Sequence, residues 1–587
     1  MRYFLILTSS LTALTFFAAG ILPFTISALA IIFCLACLFL IRGPQSPGLK
    51  LLPLLASVLI AFLTITAIPF PSPISSAFGS KRAQQNNLAK QAIRTSAELG
   101  ISKKDETCSA FAVTRNRAGT ARIILLVIAG IASAALASQM PAQWKDRYIQ
   151  FLVLLGIILA AGGFISQWII PQGKTIWWLF PVPHGRPVGC FINRNHFGGY
   201  VALMCAPAMF LLADSLEKRR PLSAFIWLAG LAVMSLAVIM SLSKGAWLAF
   251  AISMSSSFII LLYRRKFILV SSFILILLVL LISIARINPA SIPSSQVKER
   301  LLSMRNLPAT ESASMRLSTW RDGLAIIRDY PVLGAGANAF RMVFPQYRKA
   351  TTRKPFEHAE NEYVQIPAEF GLPAAAVIIA MLVVIARQWQ ISFLIEKHIL
   401  VSSCVGGMLL ASAVHASTDF ALRIPLYFLT VTSMLGLVIS PSPPVTQSQP
   451  AHSRLNCILS TTALAIALAF TCMGGRIYTQ DSSDDDDSSR DSEICRTLAW
   501  SPTSWQAWYR LGKSAVAMRA DNMCRFGEKC ISRAAEYDPN NYQLWQELAL
   551  LRLSLQDAAG AAEAYSRIKQ LRPWKKINDL EQNNPVR

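Results

Sequence analysis
Apolar stretches of about 18–22 residues recur along nearly the whole chain, and this recurrence limits the fold more than any other feature. A helix of that length spans the roughly 30 Å of bilayer hydrocarbon. The stretches fall at approximately 3–21, 24–41, 50–69, 122–140, 148–170, 197–214, 222–241, 246–263, 267–286, 371–386, 398–415, 424–440 and 455–474. About thirteen in series predict an all-α, polytopic membrane helical bundle. Only 15% of the 587 residues are charged and 53% are apolar, whereas soluble domains carry about 25% charge. A net charge of +24 would point to nucleic acid in a soluble chain. Here the Lys and Arg gather in short segments between apolar runs, so membrane lipids are the expected surroundings and no nucleic-acid partner is expected.

Orientation follows from those segments. With the N-terminus inside, the inner connections carry Arg42 and Lys50, Lys145 and Arg147, Lys218 to Arg220, Arg264 to Lys266, Arg387 with Lys397, and Arg454. Each is basic, as the positive-inside rule asks. The outer loops are then 70–121, 171–196, 242–245, 287–370 and 416–423, and the C-terminus lies outside. The first run follows Arg2 and ends near Ala18-Ala19-Gly20, so cleavage as a signal peptide competes with its reading as a span. A second span follows at once and only one basic residue leads, which favours the span. The interiors of the spans carry essentially no charge. Pumps and ion-coupled transporters usually place ionisable groups at membrane depth, so the polarity of the outer loops points to chemistry at the outer surface.

The bundle divides into residues 1–120, with N-terminal spans and an outer loop, and residues 121–440, with the large outer loop 287–370. A last span lies within 441–476, and a linker at 477–494 contains the acidic run Asp481 to Ser489. That run reads as solvated chain rather than a metal site. Residues 495–587 carry a small helical-repeat domain: Pro502, Trp508, Leu511 and Gly512 recur as Pro539, Trp545, Leu548 and Ala549, and Pro573 follows. The pattern resembles tetratricopeptide repeats. Two units are few for a free-standing solenoid, so packing on the membrane domain, a polysaccharide-assembly partner or a second copy is expected. Eleven cysteines show no metal spacing. Cys34 and Cys37 sit in an apolar run, and an oxidising outer side would allow one disulfide among Cys495, Cys524 and Cys530.

Four outward segments concentrate polar side chains. At 189–200 Asn193, Arg194, Asn195 and His196 precede Gly198-Gly199; they suit sugar hydroxyls or phosphate, or simply anchor a helix end. The tight turn Ser243-Lys244-Gly245 puts a cation at the headgroup layer, as a snorkelling lysine also would. In the large loop, Arg316, Trp320 and Ile327 fall near one face of an amphipathic surface helix, and a guanidinium suits phosphate. Further on, Glu357-His358-Ala359-Glu360-Asn361-Glu362 offers candidate bases, with His358 and Glu362 spaced to share a helix face.

These segments together resemble the O-antigen ligase and O-antigen polymerase-like family of bacterial membrane glycosyltransferases. The resemblance covers roughly 120–440 and rests on Phe191 to Phe197, Ser243-Lys244-Gly245, Arg316 to Trp320 with the turn Pro331 to Gly336, Glu360-Asn361 ahead of Gly371 to Ala374, and His415 to Phe420 before Arg423-Ile424-Pro425. It implies a GT-C-like bundle in the bacterial inner membrane that takes a glycan from an undecaprenyl-diphosphate donor. An acceptor hydroxyl attacks in the outer leaflet, with no cofactor or metal. Arg316, Lys244 and Arg194 would then neutralise the diphosphate, and Asn193, Asn195, His196 and Asn361 would bind diphosphate or glycan. Glu360 or His358 would be the base. Two departures stand out: the family arginine is Lys244, which keeps the charge but loses the planar fork, and the family histidine is Glu360. Polymerase and ligase remain open. The rivals are a lipid-linked glycan flippase or other transporter, and a non-catalytic assembly scaffold.

Overall fold
The apolar runs fold as helices because a backbone in hydrocarbon must satisfy every N–H and C=O within its own segment. A computed structural model of the chain describes residues 1–16, 23–40, 51–102, 110–182, 187–263, 311–349, 356–394, 399–439, 494–495, 497–499 and 501–571. The bundle contains α1 (Arg2–Phe16), α2 (Pro23–Leu40) and α3 (Leu51–Ala67). After an outer segment with α4 (Ser72–Ala77) and α5 (Ser80–Glu98) come α6 (Arg117–Ser138), α7 (Ala142–Phe164), α8 (Arg194–Glu217), α9 (Pro221–Met240) and α10 (Lys244–Tyr263). The large loop contributes α11 (Glu311–Asp329) and α12 (Phe340–Val343), and the bundle closes with α13 (Glu362–Leu394), α14 (Ile399–Ala416) and α15 (Pro425–Val438). Among the described residues, seven helices are long and apolar enough to cross a membrane: α6 to α10, α13 and α14. The chain is thus a multi-pass, all-α membrane protein. The expected spans at 267–286 and 455–474, and the acidic run 481–489, lie outside the described residues.

At the centre stands α8, buried at every position from His196 to Leu212, as a helix apolar on all sides must be. It packs against α7, α9, α10 and α14, while α6 packs against α2 and α15. The segment expected to span at 424–440 forms α15, a helix of 14 residues that starts at Pro425. One sequence expectation needs correction. His358 and Glu362 do not share a helix face: α13 begins at Glu362 and His358 lies in the loop before it.

The polar segments form one layer at one end of the bundle. Strand β1 (Pro69–Pro71) pairs antiparallel with β2 (Ala110–Ala112). Arg82 on α5 donates to the carbonyls of Val113 (3.2 Å) and Gly334 (2.6 Å), which ties the first outer loop to the large one. On α11 the buried face is Thr319, Asp322, Gly323 and Ile326, with Arg316, Trp320 and Ile327 half-buried at its flank. This face rests on α13.

The C-terminal helices α16 (Trp505–Ala517), α17 (Asp521–Tyr537), α18 (Tyr542–Ser554) and α19 (Ala558–Leu571) form two hairpins. The two units repeat one hydrogen bond: Trp508 Nε1 donates to the Pro502 carbonyl (2.8 Å), and Trp545 Nε1 to the Pro539 carbonyl (2.9 Å). Their core is continuous with the outer layer, since Trp508, Leu511 and Cys530 share an apolar cluster with Ala89, Ile93 and Phe111. Ser501 Oγ also donates to the Arg115 carbonyl (2.5 Å). Cys524 and Cys530 are free thiols, so no disulfide joins any two of Cys495, Cys524 and Cys530.

Candidate active site
The first turn of α8 supplies one wall. Asn193 caps that helix, its Oδ1 accepting from Asn195 N (2.9 Å), an ordinary role for asparagine before a helix. His196, two residues inside, brings Nε2 to 3.2 Å from Asp419 Oδ1, and His415 at the end of α14 brings its Nε2 to 3.7 Å from Asp419 Oδ2. All three side chains are buried. The glycines of the motifs explain how this fits: a Cβ at Gly199 would collide with the His415 ring, and one at Gly245 with Thr418. Burial alone would push the Asp419 carboxyl up. The two histidines and the Phe420 amide, which donates to Oδ1 (2.7 Å), outweigh it and hold Asp419 down to about 2.

A second cluster lies on the first two turns of α13. Arg423 donates through Nε to Glu362 (3.2 Å) and through Nη1 to Glu369 (2.9 Å). Glu369 further accepts from Asn338 N (2.7 Å), Phe340 N (3.0 Å) and Gln365 Nε2 (3.1 Å). Burial opposes the Arg423 charge, but the two carboxylates outweigh it and raise its pKa further.

The Gln365 amide fixes His358. Its Oε1 accepts from Ala359 N (2.9 Å) and its Nε2 faces Glu369, so the NH₂ end is determined by two neighbours independently of the histidine. That same nitrogen lies 2.8 Å from His358 Nδ1. Nδ1 must therefore accept, and the ring proton of the neutral form sits on Nε2. Burial first, then Arg423 and His196, hold His358 well below the usual histidine value, so neutral is the form present at neutral pH. The ring stacks on Phe420 (centroids 4.0 Å apart), which His196 meets edge-on from another side (4.7 Å).

Arg316 and Glu360 form the more exposed edge of the site. Arg316 Nε lies 2.6 Å from Glu360 Oε2, and the side chains are 28% and 36% exposed, against the near-complete burial of the groups behind them. Glu360 adopts φ +52°, a left-handed conformation uncommon for a side-chain-bearing residue. It is held there by Trp320, whose Nε1 donates to the Ala359 carbonyl (3.0 Å), and by Asn361, whose Oδ1 accepts from Tyr363 N (2.9 Å).

Of the residues picked out in the sequence, Arg316, Glu360, His358 and His196 therefore meet in one constellation. Arg194 and Asn195 stand half-buried in the first turn of α8, and Lys244 opens α10 beside the Gly245–Thr418 contact. Asn193 and Asn361 spend their side-chain oxygens on helix caps. Three charged residues at the heart of the site were not among the chosen ones: Asp419, Arg423 and Glu369. Asp419 and Arg423 lie in a run the motifs already included, and the signal was their charge in a short loop otherwise uncharged. Glu369 gave no signal, because its partners come from residues about thirty and fifty positions away. Among the described residues, no group of three or more His, Cys, Asp or Glu side chains is placed to hold a metal ion.

Residues 229–379 match the family model described as O-antigen ligase. The matched stretch contains Lys244, Arg316, His358, Glu360 and Glu369, while His196, Asp419 and Arg423 lie beyond its ends. A comparison with curated proteins finds no match.

Proposed function
Taking the chain as a member of the O-antigen ligase family, we propose that it moves a glycan from an undecaprenyl-diphosphate donor to an acceptor hydroxyl. The reaction would occur at the outer face of the bacterial inner membrane, with the C-terminal helices on that same side, and would serve polysaccharide polymerisation or ligation. The observation that carries this reading is the Arg316–Glu360 ion pair at the mouth of the site. It joins a cation suited to diphosphate with a carboxylate suited to deprotonating a hydroxyl, and each currently neutralises the other.

The chemistry follows from exchange of that pair. A diphosphate entering the mouth competes with Glu360 for the Arg316 guanidinium, a planar donor matched to phosphate oxygens. Lys244 and Arg194 add charge where the leaving group develops it. Glu360, released from the guanidinium, has a carboxylate oxygen free to accept the hydroxyl proton of the acceptor. The acceptor oxygen bonds to the anomeric carbon as the bond from that carbon to the diphosphate oxygen breaks. The hydroxyl proton passes to the Glu360 carboxylate, and the lipid diphosphate departs with both bonding electrons. His358, with its proton on Nε2, serves as a hydrogen-bond donor to the glycan rather than as a base.

The test is transfer by the purified protein in liposomes supplied with undecaprenyl-diphosphate-linked repeat units. Removing a transition-state donor costs about 10²–10³ in rate, and removing a general base about 10²–10⁴. Arg316→Ala and Glu360→Gln should each fall by such factors at unchanged protein level. A ladder of lengthened lipid-linked products identifies a polymerase, and products formed only with lipid A core identify a ligase. A folded protein that transfers to neither acceptor refutes the proposal and leaves the transporter or scaffold.

A further inference from the structure
A cavity of about 630 Å³ opens between the large outer loop and the C-terminal helices, outside the site just described. One wall comes from α11 and the segment after it (Arg321, Arg328, Tyr347, Lys349), the other from Pro539, Asn540, Arg567 and Gln570. Its volume falls within the range of small-ligand sites. With Arg348, five Lys and Arg side chains line it against one carboxylate, Asp322. That carboxylate is buried and accepts from Lys349 N (3.0 Å), and one carboxylate against five cations leaves the lining with an excess of four positive charges.

The cations divide by role. Arg348 is structural: with its oxygen turned inward, the Asn540 amide accepts from Arg348 Nε (2.9 Å) and Nη2 (3.2 Å). This contact ties the two walls together. Arg321, Arg328, Lys349 and Arg567 are exposed. Amide groups stand among them: Gln570 accepts from Arg567 (2.8 Å). Gln346, also on the lining, has a buried Nε2 with no hydrogen-bond partner among the described residues.

The cavity is also placed with respect to the reaction. Arg321 and Arg328 lie seven residues apart on one face of α11, turned by about 140° and 120° from Arg316 at 100° per residue. They stand about 8 Å and 18 Å further along the same helix axis. A chain reacting beside Arg316 would pass about a third of the way round α11 to enter the cavity a few sugars from the reacting end.

We propose that this cleft binds an acidic glycan, one carrying carboxylate or phosphate groups, as the substrate chain on which the reaction site works. Guanidinium and ammonium groups meet the anions, and the amides meet sugar hydroxyls. A protein partner fits less well, since besides Tyr347 the lining offers only Ala325, Pro539 and Leu571 as apolar groups, and its exposed cations are not the desolvated anchors on which protein hot spots centre. The inference deepens the glycosyltransferase reading by naming its substrate class, but its test is binding, not turnover.

Fluorescently labelled hexagalacturonate is titrated into the full-length protein in detergent. The comparison ligands are a neutral hexaglucan of the same length and a hexaglutamate peptide of the same charge. The double variant Arg328→Glu with Arg567→Glu alters only exposed side chains on the two walls. Hexagalacturonate should bind, the hexaglucan should bind at least about tenfold more weakly, and the double reversal should cost a further tenfold to hundredfold. Affinity should fall with added salt, as contacts between exposed charges do. Arg316→Ala should leave this binding intact while abolishing transfer, which separates the two readings. The proposal is overturned if hexagalacturonate does not bind, if the reversal leaves its affinity unchanged, if the hexaglucan binds equally, or if hexaglutamate binds as tightly. Binding without transfer by the parent protein would sink the glycosyltransferase reading and leave the cleft; transfer without binding would do the reverse.

Discussion
Replacing Arg423 by methionine tests the electrostatic scaffold directly. The guanidinium neutralises two buried carboxylates, through Nε and Nη2 to Glu362 (3.2 and 3.4 Å) and through Nη1 to Glu369 (2.9 Å). Methionine keeps most of the volume and removes the charge. Breaking a buried pair from one side costs about 3–5 kcal/mol, because the partner is left charged and dry. The two carboxylates should not suffer equally. Glu369 retains donors from Asn338 N, Phe340 N and Gln365 Nε2, whereas the hydrogen bonds of Glu362 run to Arg423. Adding Glu362→Gln to Arg423→Met should therefore restore about 2 kcal/mol by removing the stranded charge. Adding Glu369→Gln should cost about another 1–3 kcal/mol, since its NH₂ would face a backbone donor. Denaturant and thermal unfolding in detergent, followed by tryptophan fluorescence, give the ranking. The reasoning fails if Arg423→Met lies within about 1 kcal/mol of the parent, or if the two glutamine changes act alike.

Gly199→Ala should destabilise by about 1–3 kcal/mol, because its Cβ would meet the His415 ring between two packed helices; the thermal midpoint and transfer should fall together. The acid limb of stability should have two parts. His358 is held below its ordinary 6.5, so the unfolded chain binds its proton first and stability falls as pH drops below about 6.5; His358→Gln should flatten that part. Asp419 is depressed from 3.8 to about 2, so its contribution is complete above about 3.8 and lost as pH falls through about 2; Asp419→Asn should remove that second part from a pH series of unfolding midpoints. Arg316→Lys should retain more transfer than Arg316→Ala while raising KM for the lipid donor, because an ammonium keeps the charge but not the fork.

The membrane architecture was legible because apolar length is a signal written in consecutive residues. The ends were less so: α13 starts well before its apolar core, because Glu362, Gln365 and Glu369 are polar residues that pay for their burial by pairing with a distant loop. The site was legible as motifs, since His196, Lys244, Arg316 and Glu360 each sit in a short pattern of their own. What joins them was not. Asp419 between two histidines and Arg423 between two glutamates are relations across the fold, and no local spacing encodes them. The contact between Gln365 and His358, which sets the ring nitrogen that carries the proton, is likewise a relation that no motif in the sequence announces.

The break in α13 at Gly371 (φ 81°, ψ 166°) divides that helix into a polar outer limb and an apolar inner one. The turn of the large loop is stitched to α13 on both sides of the break: Ala335 N donates to the Ala368 carbonyl and Gly336 N to that of Glu369 before it, and Leu372 N to that of Pro331 after it. The inner limb exposes Leu372, Ile379, Leu382 and Val383 on its surface, where acyl chains would lie. A bilayer thicker or thinner than the helix is met chiefly by tilt. The same turn thus grips α13 on both sides of the elbow, so a change in the tilt of the lower limb reaches the loop that donates to Glu369. Bilayer thickness is in this way tied to the carboxylate cluster through a single turn of the large loop.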